Sequence, residues 1–532
     1  MKASDLLVKC LEAEGTEYIF GLPGEENADF MMSLEKSEKI EFVLTRHEQG
    51  AAFMANAYGR LTGKAGVCLS TLGPGASNLL TGVADANMDR APLVAITGQA
   101  ERTRMHKESH QATDIVRMFR PVTKWNSPII HPDNIPEVVR KAFKIAQSEK
   151  PGACHIELPE DVAALDTDNV PIFPKKLRRP VPDEKILNRA FDTIVKARKP
   201  VIIAGNGVIR RKAEEQLRKF ARRTGIGVIN TFMAKGVVSK DSPESLFTIG
   251  MQSRDLVNCA IEASDVVIAV GYDMVEYHPR LWNPEKKHKI VHIDFQPAEI
   301  DDFYRTEVEV VGDIAHTLWM LNERLQDTRD LPVFSTEMNK TLREQMLADF
   351  SEHKDDETED FIRPQKAIWD AREVLGKKDI LLSDVGAHKV WIARYYSCYE
   401  PNTCLIPNGY ASMGFALPGA ILADLIYPDR KVMAICGDGG VLMNIQEMET
   451  ATRVGSDIVV FVWEDHSYGL MRWKQSGVGR HSNVNFGNPD WISLARAFGW
   501  NGFRCDRSVD LKRTLEHAFD TDGPSLSWSW CR

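Results

Sequence analysis

Short β-branched runs alternate along the whole chain with stretches whose apolar residues recur every third or fourth position. In the first part "EFVLTRHE", "AGVCLSTLG", "PLVAITGQ" and "CHIELPE" read as strands separated by helical segments rich in Ala and Leu. That alternation predicts a parallel sheet covered by helices. "KPVIIAGNGVIRR", "GIGVINT", "SDVVIAVGYDM" and "KIVHIDFQP" repeat the pattern in the middle, and "DILLSDVG", "KVMAICGDGG" and "SDIVVFVWEDHS" repeat it again towards the end. Leu6, Leu7, Cys10 and Leu11 stand at helical spacing with acids between them, so the amino terminus is expected to be the first helix of the fold rather than a signal peptide.

Two stretches break the periodicity. "LPEDVAALDTDNVPIFPKKLRRPVPDEK" collects prolines and charges, and residues from about 326 to 362 are polar and partly helical. Both read as connections. The chain therefore divides into three α/β domains, expected over 1–165, 185–325 and 362–532, each built on a doubly wound parallel sheet.

Composition narrows the function. The chain has 532 residues, 43% hydrophobic and 27% charged, with no apolar run long enough to span a bilayer. A net charge of −9 gives no footprint for nucleic acid, because basic clusters such as "VIRRKAEEQLRKFARR" carry interleaved acids and read as a solvated helix face. Nine cysteines are scattered without a Cys-x-x-Cys pair. Reduced thiols and a cytoplasmic location are expected.

"AICGDGGVLMN" puts Asp438 between glycines directly after an apolar strand. Glycines there let backbone approach a ligand, and the start of the following helix, expected through "VLMNIQEMETATRVG", offers free amides to an anion such as phosphate. A carboxylate among those amides makes sense if it holds a cation that bridges to the phosphate. Asp465 follows 27 residues later, at the end of the next strand. One strand, crossover and parallel strand take up that length, which places both acids side by side at the carboxyl edge of one sheet. Two carboxylates, a carbonyl near Ser467 and phosphate oxygens suit Mg²⁺. An isolated Gly-Asp-Gly is more often an ordinary turn; the matched second acid reverses that reading. The third glycine of a dinucleotide fingerprint is missing from both "GDGGVL" and "GNGVIR".

Glu48 opens a helix of small residues, Ala51, Ala52, Ala55 and Ala57, that can pack very closely. It either complements the helix dipole or faces an apolar seam, where it can share a proton with a cofactor nitrogen. The residues alone leave both open.

Together these motifs resemble thiamine-diphosphate enzymes of the acetolactate synthase family over nearly all of the chain. "RHEQGAAFMANAYGRLTGKAGVCLSTLGPGASNLLTG" is similar to the pyrimidine-domain signature, "GDGG" with "EDHS" to the metal and diphosphate motif, and "DVGAHKVWIARYY" and "NGYASMGFALPGAI" to the loops enclosing the cofactor. The resemblance implies pyrimidine-binding, central and diphosphate-binding domains in that order, with thiamine diphosphate and Mg²⁺ as cofactors. Glu48 then matches the glutamate that hydrogen-bonds the aminopyrimidine and promotes formation of the reactive ylide. Met413 matches the apolar wedge under the cofactor, with Ala411 beside it, and Ala387 and His388 match a loop touching the diphosphate. Asp438, Asp465 and the Ser467 carbonyl match the metal ligands, with Gly437, Gly439, Gly440, Tyr468 and Gly469 completing the cofactor motif.

The implied chemistry is decarboxylation of pyruvate and attack of the hydroxyethyl carbanion on a second pyruvate, giving 2-acetolactate. Gln111, as a catalytic and substrate-contacting residue, and His110 come from "SHQATDIVRMF", which is similar to the family's substrate-side segment. "GYDMVEYHPRLWN" and "VHIDFQP" look more like the flavin-independent, catabolic type, so FAD is not expected. In the family each active site spans two subunits, which implies a homodimer or homotetramer acting on a small 2-keto acid, with no nucleic-acid or membrane partner. Two departures stand out. Lys474 occupies the place of a substrate-side glutamine, reading either as a substrate contact or as a solvated lysine, and the ending "GPSLSWSWCR" lacks the usual aliphatic strand, which is expected to leave the pocket less covered. Alternatives are another thiamine-diphosphate decarboxylase or lyase with a different acceptor, a flavin-using oxidase, or a regulatory protein that has lost catalysis.

Overall fold

The computed structural model describes residues 1–175, 179–250, 255–328, 334 and 336–531. Three six-stranded, all-parallel sheets follow one another along the chain. The first holds β1 (Tyr18–Gly21), β2 (Glu41–Leu44), β3 (Gly66–Ser70), β4 (Leu93–Gln99), β5 (Trp125–Pro128) and β6 (Ala153–Pro159) in the order β2-β1-β3-β4-β6-β5. The second holds β7 (Pro200–Ala204), β8 (Val228–Asn230), β9 (Ser245–Thr248), β10 (Val266–Val270), β11 (Lys289–Asp294) and β12 (Thr306–Val311), ordered β12-β11-β10-β7-β8-β9. In the third, β13 (Ile380–Ser383), β14 (Cys404–Leu405), β15 (Val432–Gly437), β16 (Val459–Glu464), β17 (Asn501–Arg504) and β18 (Ser525–Trp530) take the order β14-β13-β15-β16-β18-β17. The outer two sheets thus share one strand permutation, while the middle sheet has the order of dinucleotide-binding folds.

Helices on both faces explain the composition of the central strands. β3, β4, β6, β10 and β16 are buried at every position, so their sequences do not alternate apolar with polar, and the polar residues they carry, His155 and Glu157 among them, are buried too. The expected first helix forms over Ala3–Ala13 and buries Leu6, Leu7, Cys10 and Leu11.

Within one chain the first and third domains share a core. The helix Glu48–Thr62 lies between the helix Pro74–Met88 and the helix Ala416–Ile426, with Phe53 set edge-on to Phe415 at 5.8 Å between ring centres. Its small residues are used as their size suggests: a β-carbon on Gly82 would come within 2.5 Å of the Ala52 side chain. Glu447 of the third domain accepts the backbone N–H groups of Arg46 (3.2 Å) and His47 (3.0 Å), which fixes the turn just before Glu48.

Several expectations need correction. The helix after "GDGG" is not continuous: Asp438–Val441 makes one turn, residues 442–446 close in tighter turns, and a second helix runs over Glu447–Val454. The break lets the buried Asn444 donate to the Gly414 carbonyl at 2.9 Å. The basic cluster is not merely solvated. Arg210 is buried between Asp273 (3.2 Å) and Glu149 (3.4 Å), and Arg211 reaches Glu149 at 3.7 Å as well as Asp313 of its own domain at 3.2 Å, so through Glu149 these cations tie the central domain to the first. The first connection begins later than expected, because its "LPE" ends β6 and enters the helix Glu160–Ala164; residues 176–178 of it lie outside the described residues. The ending is a strand after all: Ser525–Trp530 pairs with both β16 and β17 inside the third sheet. Leu526, Trp528 and Trp530 are its apolar residues.

Candidate active site

In the third sheet the chain goes from β13 outward to β14 and returns to β15 on the other side, so the switch in strand order falls between β13 and β15. Ligands of open α/β sheets bind outside the strand ends at such a point. A cavity of about 760 Å³ opens there. Its wall includes Ala387, His388, Ala411, Met413, Gly437, Asp438, Gly439, Gly440, Asp465, Ser467, Tyr468 and Gly469, every one a residue singled out from the sequence.

Asp438 and Asp465 are neighbours because β15 and β16 are paired in register, Gly437 opposite Trp463. Asp438 is buried, and its Oδ2 accepts the backbone N–H groups of His466 (2.8 Å) and Asp465 (3.2 Å). Asn488 adds an amide N–H at 2.9 Å. Asp465 in turn accepts the Ser467 N–H at 2.9 Å. Burial, and then the charge of Asp438, raises the Asp465 carboxyl above the usual carboxylate range. Two acids that repel each other at the mouth of a cavity suit a divalent cation, which would relieve that repulsion.

The glycines have room only as glycines. A β-carbon on Gly440 would lie 2.6 Å from Asp384 Oδ2, and one on Gly439 would lie 2.9 Å from the Tyr468 ring. Among the described residues, two buried polar atoms on the wall, His388 Nε2 and Trp463 Nε1, have no hydrogen-bond partner. Burial pushes the His388 imidazole down to about 4, so it is neutral near pH 7. A buried wall with orphaned polar atoms calls for a polar occupant. Diphosphate with a metal ion fits this wall: Asp438, Asp465 and the Ser467 carbonyl would hold the ion, and the glycine turn would admit the phosphates. Among the described residues no group of three His, Cys, Asp or Glu side chains forms a metal site by itself, so a cation here would need oxygens from the carbonyl and the ligand.

Glu48 is not on this wall. It is buried at the start of its helix, where Asn78 Nδ2 donates to its Oε2 at 3.0 Å. A β-carbon on Gly75 would stand 3.2 Å from Glu48 Oε1, and one on Gly73 would stand 2.7 Å from the Gln111 carbonyl. Glu48 and Gln111 therefore flank the same Gly-Pro-Gly turn that opens the Pro74–Met88 helix. Gln111 and His110 are exposed, and Gln111 is left-handed at φ 57°. Within a single chain the candidate residues form two groups, one on each outer domain.

Lys474 is exposed and is absent from the wall; Arg472, two positions earlier on the helix Gly469–Ser476, lines it instead. Trp391, Trp463, Trp473 and Cys531 also line the cavity, and neither they nor Arg472 and Asn488 were singled out from the sequence. Asn488 lies 50 residues beyond Asp438 with no motif to connect them. The Trp473–Lys474 register depends on where the helix turns, which the sequence does not state.

Family comparison agrees with this geometry. Residues 1–118 match the N-terminal thiamine pyrophosphate binding domain, 187–321 the central domain and 384–527 the C-terminal thiamine pyrophosphate binding domain of thiamine pyrophosphate enzymes. The chain belongs to that family. Relatives include the acetolactate synthase of Bacillus subtilis, 34% identical over 99% of this chain and 92% of its own length. A catabolic acetolactate synthase of Raoultella terrigena is 34% identical over 98% of this chain and 94% of its own. A probable acetolactate synthase large subunit of Methanocaldococcus jannaschii is 36% identical over 99% and 91%.

Proposed function

We propose that this protein is a thiamine-diphosphate- and Mg²⁺-dependent carboligase that decarboxylates pyruvate and joins the remaining two-carbon unit to a second pyruvate, giving 2-acetolactate. The observation that carries the reading is the switch-point cavity, where Asp438 and Asp465 stand together above a glycine turn. Relatives alike over almost the whole chain carry the name acetolactate synthase, which supports this reaction over others of the family.

Bound in the cavity, thiamine diphosphate supplies a nucleophilic carbon and an electron sink for decarboxylation. The chain's own residues do the rest. Asp438, Asp465 and the Ser467 carbonyl anchor the metal and diphosphate end. Met413 and Ala411, both on the cavity wall, would hold the cofactor, Met413 by apolar contact and Ala411 through its backbone. Glu48 holds a proton at its carboxylate for exchange with the pyrimidine nitrogen, and Gln111 and His110 face the keto acid. Because Glu48 and Gln111 sit apart from the cavity of their own chain, the working unit is a homodimer or a pair of dimers, the first domain of one subunit closing the cavity of the other. Trp391 and Trp473, in edge contact at 6.3 Å, help keep water from the reacting carbon.

The flavin-independent type is supported by the likeness of "GYDMVEYHPRLWN" and "VHIDFQP" to catabolic enzymes and by a 34% identical relative named as a catabolic acetolactate synthase. Among the described residues no helix is long and apolar enough to cross a membrane, and all nine cysteines are free thiols, in keeping with a cytoplasmic enzyme.

A second reading keeps the cofactor and changes the acceptor. Arg472 on the wall, with Lys474 nearby, gives this site cationic side chains suited to an acceptor with a further carboxylate. Pyruvate as sole substrate separates the readings: the carboligase accumulates acetolactate, a simple decarboxylase releases acetaldehyde, and an enzyme with another acceptor turns over pyruvate only slowly until that acceptor is added. A yellow purified protein with flavin absorbance overturns the flavin-independent assignment.

A further inference from the structure

The segment that brings Ala411 and Met413 to the cavity is held from two sides. From its own domain, Asp384 Oδ1 accepts the Gly414 N–H at 2.8 Å. From the first domain, Asp85 Oδ1 accepts the Ser412 N–H at 3.1 Å, and Asp89 Oδ1 accepts the Gly409 N–H at 2.6 Å and the Asn408 N–H at 3.2 Å. Between these anchors Ala411 lies in the left-handed region at φ 56°, a conformation that a residue with a β-carbon keeps only where its surroundings impose it.

Asp85 and Asp89 are fully buried, and nothing proposed above for the reaction employs them. They follow Asn78 on the Pro74–Met88 helix and its cap by seven and eleven residues, which is helical spacing for one face. Asn78 holds Glu48; Asp85 and Asp89 hold the Met413 segment. The cations that face them are Arg60, whose guanidinium lies 3.4 Å from Asp89 Oδ2 and also donates to the Ile406 carbonyl, and Lys389 on the Ala387–Tyr395 helix. Asn56 Nδ2 donates to Asp85 Oδ2 at 2.9 Å.

We infer that Asp85 and Asp89 are positioning residues: from the first domain they fix the 408–412 backbone so that Met413 meets the cofactor in a preset place. This rests on the cavity being the cofactor site. It goes further by assigning a task to two buried acids on another domain, and by making one helix the gauge that sets both Glu48 and the wedge.

The test reads the segment before and after the cofactor is added. In cofactor-free protein, hydrogen exchange over 408–413 should be about tenfold faster in Asp85→Ala than in the parental protein, because a buried acceptor has been removed. Quenching of cavity tryptophan fluorescence by thiamine diphosphate with Mg²⁺ should show affinity about tenfold weaker, with KM for pyruvate unchanged. Asp85→Asn keeps an acceptor oxygen and should restore both values. Asp89→Asn keeps the shape but loses the charge facing Arg60, and should speed exchange at 408–409; it is the variant to use if Asp85→Ala fails to fold. Unchanged exchange in these variants, or faster exchange with affinity within about twofold of parental, overturns the inference alone. No fluorescence response from the parental protein overturns the cofactor reading and the inference with it.

Discussion

Asp438 accepts the backbone N–H of Asp465 at 3.2 Å, so the first acid of the pair fixes the backbone of the second. Pre-organisation of this kind means that the Asp465 side chain need only supply an oxygen. Asp465→Asn should therefore hold Mg²⁺ and thiamine diphosphate within about tenfold of the parental affinity, while Asp465→Ala should lose about a hundredfold or more. Calorimetric titration of cofactor in the presence of Mg²⁺ checks both, and equal losses in the two variants would remove Asp465 from the ligand set.

Glu48 is held by Asn78 away from the cavity of its own chain. Glu48→Gln keeps the size and one acceptor, yet cannot carry the proton. Turnover of pyruvate should fall by about 10² to 10⁴, with cofactor affinity almost unchanged. Steady-state rates set beside a binding titration separate the two effects; a variant that turns over at the parental rate has no need of this carboxylate.

A pH effect on stability should come from Glu157, at the carboxyl end of β6. Burial, opposed by the Gln99 hydrogen bond at 2.9 Å and assisted by the charge of Asp114, pushes its carboxyl up to about 7, and its Oε1 has no partner. A raised carboxyl binds its proton more tightly in the folded than in the unfolded state. Its contribution is complete below the unfolded value near 4.5 and is lost as pH rises through about 7. Glu157→Gln should match the parental protein near pH 4 and exceed it by up to about 3 kcal/mol at pH 8. Denaturant midpoints at the two pH values give the difference.

Arg210 lies between two acids that it cannot leave without cost. Arg210→Ala exposes the buried carboxylates of Asp273 and Glu149 to each other, although Lys150 stays 2.6 Å from Asp273. The loss should be about 3 kcal/mol, read as an earlier thermal transition. Arg210→Met, which fills the space but takes the same charge away from both acids, should recover little of it.

Much of this was legible from residue patterns. The buried central strands advertise themselves as continuous apolar runs, and the spacing of Asp438 and Asp465 fixes their adjacency because one parallel crossover has a limited length. Several strands were missed: β14 has two residues, β12 carries Glu307 and Glu309 among its valines, and β9, though buried throughout, follows the polar run "SKDSPE". β18 looks atypical in sequence because "SLSWSW" builds its buried strand from serine and tryptophan rather than valine and isoleucine. Contacts made across the fold left no trace in the text. Asp85 finds Ser412 and Asn488 finds Asp438 only once the domains are stacked, and Arg472 displaces Lys474 from the wall by the rotation of one helix. The common strand order of the outer sheets is likewise invisible, since permutation is a property of pairing and not of composition.

The helix Gly469–Ser476 has no buried residue, yet Met471, Arg472 and Trp473 on it border the cavity. Its neighbours are a floor of paired strands and glycines that tolerate no added atom. Selectivity and structural integrity are thereby assigned to different parts of the polypeptide. Laboratory selection for new acceptors would find its most permissive ground at Leu470 to Ser476, past the confined Gly469, where replacing a side chain alters what the chamber admits and costs the scaffold little.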